Sequence, residues 1–270
     1  MNKNYAAITD KCFINAPFDR LQNDLLPFFV ENKLQPEIGL EGQCLWECSK
    51  NDFETIAKIF QQQGLACTLH APFHDLAPGG FEDKIVAMSR EKLKRAFALV
   101  SVFHPKSIVC HLGYEAKKHD SGFDRWLATS LTTWKPLIQL AESEGTVVMF
   151  ENTYESDPVA HKRLFTELHA ENVGFCLDTG HLLAFAGTGY QPWLAELSPW
   201  LGQLHLHDND GTTDAHKALG RGIFNFFHLF KALKKRQLDP LLTLEPHSEE
   251  DLQLSLEYLY ATGLLELLSA

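Results

Sequence analysis

One short apolar segment of this chain ends on a carboxylate, and an imidazole follows three residues later. The segment reads Val-Gly-Phe-Cys-Leu-Asp-Thr-Gly-His from Val173 to His181, and its change from apolar to polar is typical of a β-strand that ends at a loop. Carboxylate oxygens and imidazole nitrogens are both ligands of zinc and manganese. Asp178 could equally cap the next helical turn. The residues at the other strand ends are needed to distinguish a metal ligand from a helix cap.

Other short apolar segments also end on a histidine or a glutamate. These end positions are His70, His111, Glu151, His205 and Glu245. Together with Asp178, successive positions lie 27 to 41 residues apart along the chain, which is about the length of one strand and one helix. The side chains can therefore meet only through tertiary structure. A single histidine is more often ordinary packing, but the repetition favours a divalent-metal site, with zinc or manganese as the ion.

Alternating strands and helices are predicted to position these residues. Apolar runs predict strands at residues 5–9, 36–40, 65–70, 107–111, 146–151, 173–178, 204–208 and 241–245. Helical spacing of apolar residues predicts helices at 18–30, 53–60, 82–103, 124–144, 159–169, 224–235 and 252–259. Strands that alternate with helices form parallel βα units. Eight strands with these helices between them in 270 residues predict an α/β fold, a single-domain (β/α)8 TIM barrel over residues 1–270. The carboxyl ends of its strands would then share one rim.

Composition narrows the class of protein. The chain has no run of about eighteen apolar residues, and Met1 to Asn4 do not begin an export signal, so we expect a cytoplasmic protein without a membrane partner. The net charge of −11 argues against nucleic acid as a partner. The six cysteines, which show no spacing typical of disulfides or zinc, are expected to be reduced core residues. Nothing in the sequence indicates an oligomeric state.

Two loops contain further candidate ligands. His181 follows Asp178, and the loop after the seventh strand contains Asp214 and His216. That loop continues as Leu219-Gly220-Arg221-Gly222, in which the glycines would let the backbone pass close to a bound group. The alternative interpretation of the same loop is a solvated acidic turn. Four aromatic residues either line a pocket or belong to ordinary packing at the rim: Trp46, Phe73, Tyr154 and Phe185.

The motifs at the strand ends resemble those of the xylose-isomerase-like TIM-barrel superfamily, which includes the AP endonucleases of the endonuclease IV type. The motifs are Glu151-Asn152-Thr153, Asp178-Thr179-Gly180-His181, His205-Leu206-His207-Asp208, and Asp214-Ala215-His216 followed by Leu219-Gly220-Arg221-Gly222. The resemblance runs from the His70-Ala-Pro-Phe segment to Leu244-Glu245-Pro246. Endonuclease IV holds three zinc ions with nine ligands. The positions that match that set are His70, His111, Glu151, Asp178, His181, His205, Asp214, His216 and Glu245.

The sugar isomerases and epimerases of the superfamily use a smaller metal core, around one manganese-like ion. The positions that match this core are Glu151, Asp178, His205 and Glu245. By this resemblance, Glu151 and Glu245 would exchange a proton with the substrate carbon from opposite sides, while the metal polarises the adjacent oxygens. His181 and Arg221 would contact the substrate.

Two reaction classes follow from the resemblance. The leading hypothesis is a metal-dependent isomerase or epimerase of a small sugar or sugar phosphate, and the alternative is a zinc phosphoester hydrolase with up to three ions. The complete set of nine positions favours the hydrolase. The sequence departs from endonuclease IV in the loop after His70 and at Lys217, where a second histidine would be expected, and these departures speak against DNA as substrate. A third alternative, a barrel that binds a metal or a small ligand without catalysing a reaction, would not need the paired glutamates.

Overall fold

In residues 5–268, the part of the chain that this computed structural model describes, eight parallel strands pair in chain order and the last closes against the first. The predicted α/β fold and the (β/α)8 barrel are therefore confirmed. Met1 to Asn4, on which the argument about export rests, lie outside the described residues. The strands are β1 (Cys12–Pro17), β2 (Gln35–Gly39), β3 (Thr68–His70), β4 (Ser107–His111), β5 (Val147–Glu151), β6 (Val173–Asp178), β7 (Leu201–Leu206) and β8 (Leu241–Leu244).

Helices of very different length connect the strands. The α-helices are α1 (Ala6–Thr9), α2 (Phe18–Arg20), α3 (Leu26–Asn32), α4 (Cys44–Glu47), α5 (Lys50–Gln62), α6 (Asp83–Ala98), α7 (Val100–Phe103), α8 (Ala116–His119), α9 (Phe123–Ser143), α10 (Val159–Leu168), α11 (Thr179–His181), α12 (Gln191–Leu197), α13 (Phe226–Arg236) and α14 (Glu249–Thr262). A π-helical turn at Leu21–Leu25 joins α2 to α3, and another at Leu182–Ala186 extends α11. Within residues 5–268, no helix has both the length and the apolar character needed to cross a membrane.

The outer faces of the strands pack against the helices through large aromatic residues. Trp193 on α12 stacks on Phe175 of β6, with ring centroids 5.8 Å apart, and Trp134 on α9 meets Phe150 of β5 edge-on at 4.9 Å. All four side chains are buried, and burying each contributes about 1.5–3 kcal/mol. Because alternate residues of a strand face opposite sides, the neighbours of Phe150 and Phe175 point into the barrel, and this alternation aims Glu151 at the interior.

The first strand was predicted in the wrong place. Most of the predicted segment 5–9 forms the short helix α1 (Ala6–Thr9) instead of a strand, and the strand follows at Cys12–Pro17. Tyr5 and Ile8, three residues apart, share one helical face and are buried, and the ring of Tyr5 packs edge-on against Tyr260 of α14 at 5.8 Å. The apolar residues that suggested a strand therefore attach α1 to the closing helix.

The other predicted elements lie close to the observed ones, with shifts at their ends. β3 is shorter than predicted. β7 begins three residues earlier than predicted and ends at Leu206.

All six cysteines are free thiols, and five are buried as expected, whereas Cys48 is half-buried, with Sγ 3.4 Å from Oε1 of Gln22.

Candidate metal centre

The carboxyl ends of six strands bring the predicted ligands together at one rim. Four of them are the last residues of their strands: His70 of β3, His111 of β4, Glu151 of β5 and Asp178 of β6. His205 is the next-to-last residue of β7, and Glu245 directly follows β8. The strand register sets neighbours side by side, because His111 pairs with Glu151 and Asp178 pairs with His205. Three groups of side chains result.

The central group surrounds one ring nitrogen of His205. Its Nδ1 lies 3.1 Å from Oε1 of Glu245, 3.3 Å from Oε1 of Glu151 and 3.9 Å from Oδ2 of Asp178. This nitrogen is buried and has no hydrogen-bond partner among the residues that the structure describes. A buried polar atom without a partner is costly, and here it faces three carboxylates. The donor set fits a divalent cation, and these four residues would hold it.

A second group shares Glu151 with the central one. Nε2 of His70 and Nε2 of His111 both lie 3.1 Å from Oε2 of Glu151, whereas Oε1 of the same carboxylate faces His205 and Nδ1 of His181, the latter at 3.1 Å. The two oxygens of Glu151 thus point to different groups. A carboxylate in this position can bridge two ions.

A third group lies toward the loop after β7. Oδ2 of Asp214 is 3.3 Å from Nε2 of His181 and 3.1 Å from Nε2 of His216. The mainchain N–H of His181 donates to Oδ1 of Asp178 at 2.6 Å, so the third group is fixed to the central one. All nine residues that the sequence proposed as ligands therefore lie in three adjoining groups.

Burial and neighbouring charges shift the pKa values of Glu151 and of the histidines around it in opposite directions. Burial alone would raise the pKa of Glu151, but the neighbouring histidines, His205 and His111 foremost, hold this pKa well below its usual value. Burial lowers the pKa of His111 to about 4. For His70, the hydrogen bond and charge of Glu151 outweigh burial and raise the pKa to about 9. Near neutral pH His111 is thus a neutral imidazole, the form that binds metals, whereas His70 carries a proton that a bound ion would displace.

Glu37 belongs to the central group, although the sequence did not single it out. It is fully buried on β2, and its Oε1 lies 3.0 Å from Nε2 of His205. Its Oε2 accepts hydrogen bonds from Thr68, Gln203 and Thr243, at 2.6 to 3.0 Å. A carboxylate on the far nitrogen of a histidine ligand is a common support for metal binding. The available signal was a charged residue inside an otherwise apolar strand.

His207 was also missed. It is 1% exposed, and its Nε2 lies 2.9 Å from Oδ2 of Asp178. The ring packs directly on Gly180, where an added Cβ would approach ring atoms to 2.0–2.7 Å, so the motif after β6 requires glycine at this position. The spacing from His205 was the available signal, because residues two apart in an extended segment point to the same side.

The glycine-rich loop after β7 encloses a side chain of the protein itself. The buried carboxylate of Asp208 accepts hydrogen bonds from the backbone N–H groups of Asn209, Gly220, Gly222 and Phe224, at 3.0–3.1 Å. A Cβ at residue 222 would lie 2.1 Å from the carbonyl oxygen of Asn209, so glycine is needed for this wrapping. Arg221 is exposed and does not line the cavity among the described residues. The structure therefore does not bring Arg221 to the other site residues.

A cavity of about 360 Å³ opens over the groups. Phe73, Tyr154 and Phe185 line it, so three of the four aromatic residues border the pocket. Trp46 does not, because its ring is partly exposed beneath the guanidinium of Arg95, 4.5 Å away. Within the described part of the chain, neither a lysine nor an arginine lines this cavity. Its charged walls consist of carboxylates and histidines.

The closed barrel and the clustered imidazoles and carboxylates at its rim define a barrel with the donor groups of a metal centre. Residues 36–262 match the family described as "Xylose isomerase-like TIM barrel". The chain belongs to this family.

Two curated proteins are similar to this chain over much of its length. An uncharacterised protein of Methanocaldococcus jannaschii is 28% identical over 244 residues, which are 89% of this chain and 93% of the relative. A "probable endonuclease 4" of Carboxydothermus hydrogenoformans is 30% identical over 195 residues, which are 63% of this chain and 65% of the relative.

Solved structures share the same barrel. A D-tagatose 3-epimerase-like protein has a TM-score of 0.80 at 21% identity, with 95% of this chain and 98% of that chain covered. A Thermus thermophilus protein whose crystal was soaked with ZnCl2 has a TM-score of 0.78 at 26% identity, with 93% of this chain and 97% of that chain covered.

Proposed function

We propose that the protein is a divalent-metal-dependent isomerase or epimerase of a small sugar. The observation that carries this proposal is the central group, in which Glu151 and Glu245 approach one buried nitrogen of His205 from two different strands. The group also lies at the floor of a cavity large enough for a monosaccharide. The similarity to a D-tagatose 3-epimerase-like fold is consistent with this reaction.

Each residue of the central group has a chemical role in such a reaction. A bound divalent ion would supply Lewis-acid polarisation of a carbonyl and an adjacent hydroxyl of the sugar. Glu151 and Glu245 would then remove and return a proton at the carbon next to that carbonyl. Because they come from β5 and β8, they can act on the two faces of one carbon, which an epimerisation requires. Asp178 and His205 would hold the ion together with these two glutamates.

The cavity favours an unphosphorylated sugar. A phosphate group is usually held by arginine, lysine or a helix N-terminus, and the lining residues in the described range include neither cation. Elsewhere on the wall, Glu41 accepts the backbone N–H of Phe73 at 2.5 Å and lies 3.2 Å from Nδ1 of His74. Such a wall offers acceptors and donors for hydroxyl groups, and its carboxylate would repel a phosphate.

Proton exchange tests this proposal. The metal-free protein is reloaded with Mn²⁺ or Zn²⁺ and incubated in D₂O with a panel of neutral ketoses. We expect epimer formation together with deuterium incorporation at one carbon. Glu245→Gln should abolish both, by at least about 100-fold given the usual contribution of general acid–base catalysis. The matched control is Glu54→Gln, the same substitution at an exposed position of α5. Exchange that survives in Glu245→Gln contradicts the assigned role.

A zinc-dependent phosphoester hydrolase is the second candidate, and one observation favours it. Glu151 directs its two oxygens to two groups, and the third group adjoins them, which is the arrangement that a cluster of ions needs. The similarity to a probable endonuclease 4 supports the same candidate. Incubation of the zinc-loaded protein with simple phosphodiesters and with abasic duplex DNA separates the two. Hydrolysis without any ketose exchange would replace the leading proposal with this one.

A further inference from the structure

The geometry points to His207 as a metal donor of the third group, together with His181 and Asp214. This inference rests on the metal centre of the proposed function, but it does not depend on which reaction the protein catalyses. It adds a donor to the third group that the motif resemblance does not provide.

The ring of His207 is held in one orientation. Its Nε2 lies 2.9 Å from Oδ2 of Asp178, which is positioned to accept a hydrogen bond, and one face of the ring lies on Gly180, where not even a methyl group would fit. When Nε2 carries the proton, Nδ1 presents a lone pair. The support of one nitrogen by a carboxylate leaves the other free for a metal, as in many metal sites.

Nδ1 of His207 faces a second buried atom that has no hydrogen-bond partner among the described residues. Nδ1 of His207 and Oδ1 of Asp214 are both buried, and neither has a hydrogen-bond partner among residues 5–268. They lie 3.7 Å apart. Two acceptors that face each other across such a gap repel unless a cation or a proton lies between them. Two ligands of one tetrahedral zinc ion are about 3.4 Å apart, given bond lengths of about 2.1 Å.

His181 completes three converging donors. Its Nε2 is 3.3 Å from Oδ2 of the same aspartate, and its ring plane is inclined at 83° to that of His207. Lone pairs of imidazole lie in the ring plane, so two steeply inclined rings can aim at one point between them. The donor atoms of His181, His207, Asp214 and His216 all lie within 4.8 Å of one another.

His216 has a different relation to this point. Its ring is parallel to that of His207, with 2° between the planes and 3.8 Å between the centroids. An ion in the plane of one ring therefore lies outside the plane of the other, and His216 has to turn before it can join. It is half-buried in the loop after β7, whereas the ring of His207 is fixed. His207 is the preformed donor and His216 the adjustable one.

The consequence is a closed ion site. Three imidazoles and one carboxylate fill a tetrahedral shell, and structural zinc sites are closed in this way, while catalytic ones keep an open position. An ion in the third group would then hold the loop after β7 against β6 without binding substrate. A second bound ion would therefore be compatible with an isomerase.

Zinc binding tests the inference without reference to activity. The protein is stripped with a chelator and reloaded with zinc alone, and bound ions per chain are counted by elemental analysis and titrated against a chromogenic chelator. His207→Gln keeps an amide donor for Asp178. We expect it to lose one ion per chain, or to bind that ion at least about tenfold more weakly. The matched control is His247→Gln, because His247 stacks on the outer face of His216 at 4.2 Å but lies outside the donor set.

A second variant guards against a simple folding defect. Gly180→Ala removes no donor, but its methyl group displaces the ring of His207, so it should weaken the same ion. Circular dichroism of the metal-free variants reports whether they fold. Wild-type zinc content and affinity in folded His207→Gln would overturn the inference and leave the proposed function standing. A wild-type protein that binds no zinc and no manganese would overturn both.

Discussion

The two ring nitrogens of His205 face different carboxylates, and this difference favours Nδ1 as the atom that would bind an ion. Nε2 faces the buried Glu37, whereas Nδ1 faces three carboxylates of the central group. Glu37 accepts side-chain hydrogen bonds from three other residues, so its carboxylate is fixed. The protein thus orients the imidazole from below the rim.

Replacing Glu37 should therefore weaken metal binding without touching a ligand. In Glu37→Gln the neutral amide no longer favours the proton on Nε2 of His205, and we expect a loss of about 10–100-fold in affinity for the central ion. Chelator competition measures this affinity. Thermal unfolding of the metal-free protein serves as the control for fold. Unchanged affinity would mean that His205 keeps its orientation without Glu37.

Glu155 predicts a pH dependence of stability. Burial raises the pKa of Glu155 from 4.5 to about 7, against the hydrogen bonds from Thr153. As the pH rises, the unfolded chain releases this proton first and the folded chain keeps it, so this group stabilises the fold at low pH and the contribution is lost up to about pH 7.

The neutral variant Glu155→Gln removes this loss. The difference in free energy of unfolding, variant minus wild type, should be about 2.5 kcal/mol larger at pH 8 than at pH 5, so the variant gains relative stability as the pH rises. Urea unfolding at both pH values measures the difference, in which the titration of all other groups largely cancels. A difference that does not change with pH would show that Glu155 titrates normally.

Individual site residues could be predicted only where a simple pattern exposed them. The six candidate ligands at strand ends could be predicted because each lies where an apolar run ends. Glu37 stands inside its strand and His207 beyond the end of β7, so a rule that considers only strand ends passes over both. The direction of the Arg221 side chain could not be predicted from the sequence. The glycines on either side of it, Gly220 and Gly222, donate backbone hydrogen bonds to the carboxylate of Asp208, twelve and fourteen residues earlier in the chain.

At the scale of elements, the loop after β7 depends on a single carboxylate. The carboxylate of Asp208 accepts hydrogen bonds from backbone N–H groups at both ends of the loop that contains Asp214 and His216. In Asp208→Asn the amide group would face N–H donors, and we expect a loss of about 2–4 kcal/mol in the free energy of unfolding. The zinc of the third group should be bound more weakly as well.

The neighbouring aspartate provides the matched control for that experiment. Asp210 is exposed and pairs with Lys217 at 3.0 Å, so Asp210→Asn should cost much less stability than Asp208→Asn, because exposed ion pairs contribute little. Denaturant unfolding and zinc titration of the two variants, side by side, separate the special role of Asp208 from a general effect of charge in this loop. Equal effects in both would contradict the enclosing role.

Most elements followed from hydrophobic periodicity, and the failure at the first strand has a physical cause. Residues 5–9 and 12–17 are both short and largely apolar, and their local sequence does not say which one pairs with β2 and β8. The register is decided by contacts with residues far along the chain, from Gln35–Gly39 and Leu241–Leu244. Such contacts are invisible to any local pattern.

For the whole molecule, we expect the clustered carboxylates to make stability depend on metal. Glu151, Asp178 and Glu245 surround one imidazole nitrogen, and an ion that binds only the folded state adds about 2.7 kcal/mol when present at 100 times its dissociation constant. For a chain of this size, chelation should lower the melting temperature by roughly 5–10 °C. Thermal unfolding with EDTA, and again after zinc or manganese is restored, measures the shift. Identical melting curves would speak against a resident ion.

The order of the strands also has a consequence for biosynthesis. The central group contains residues of β2, β5, β6 and β7 and the residue after β8, so its last carboxylate leaves the ribosome only after all eight strands. Until Glu245 emerges, the nascent chain can collect its other ligands but cannot close the barrel around them. Capture of the central ion is therefore expected to be a late event, coupled to the docking of β8 between β7 and β1.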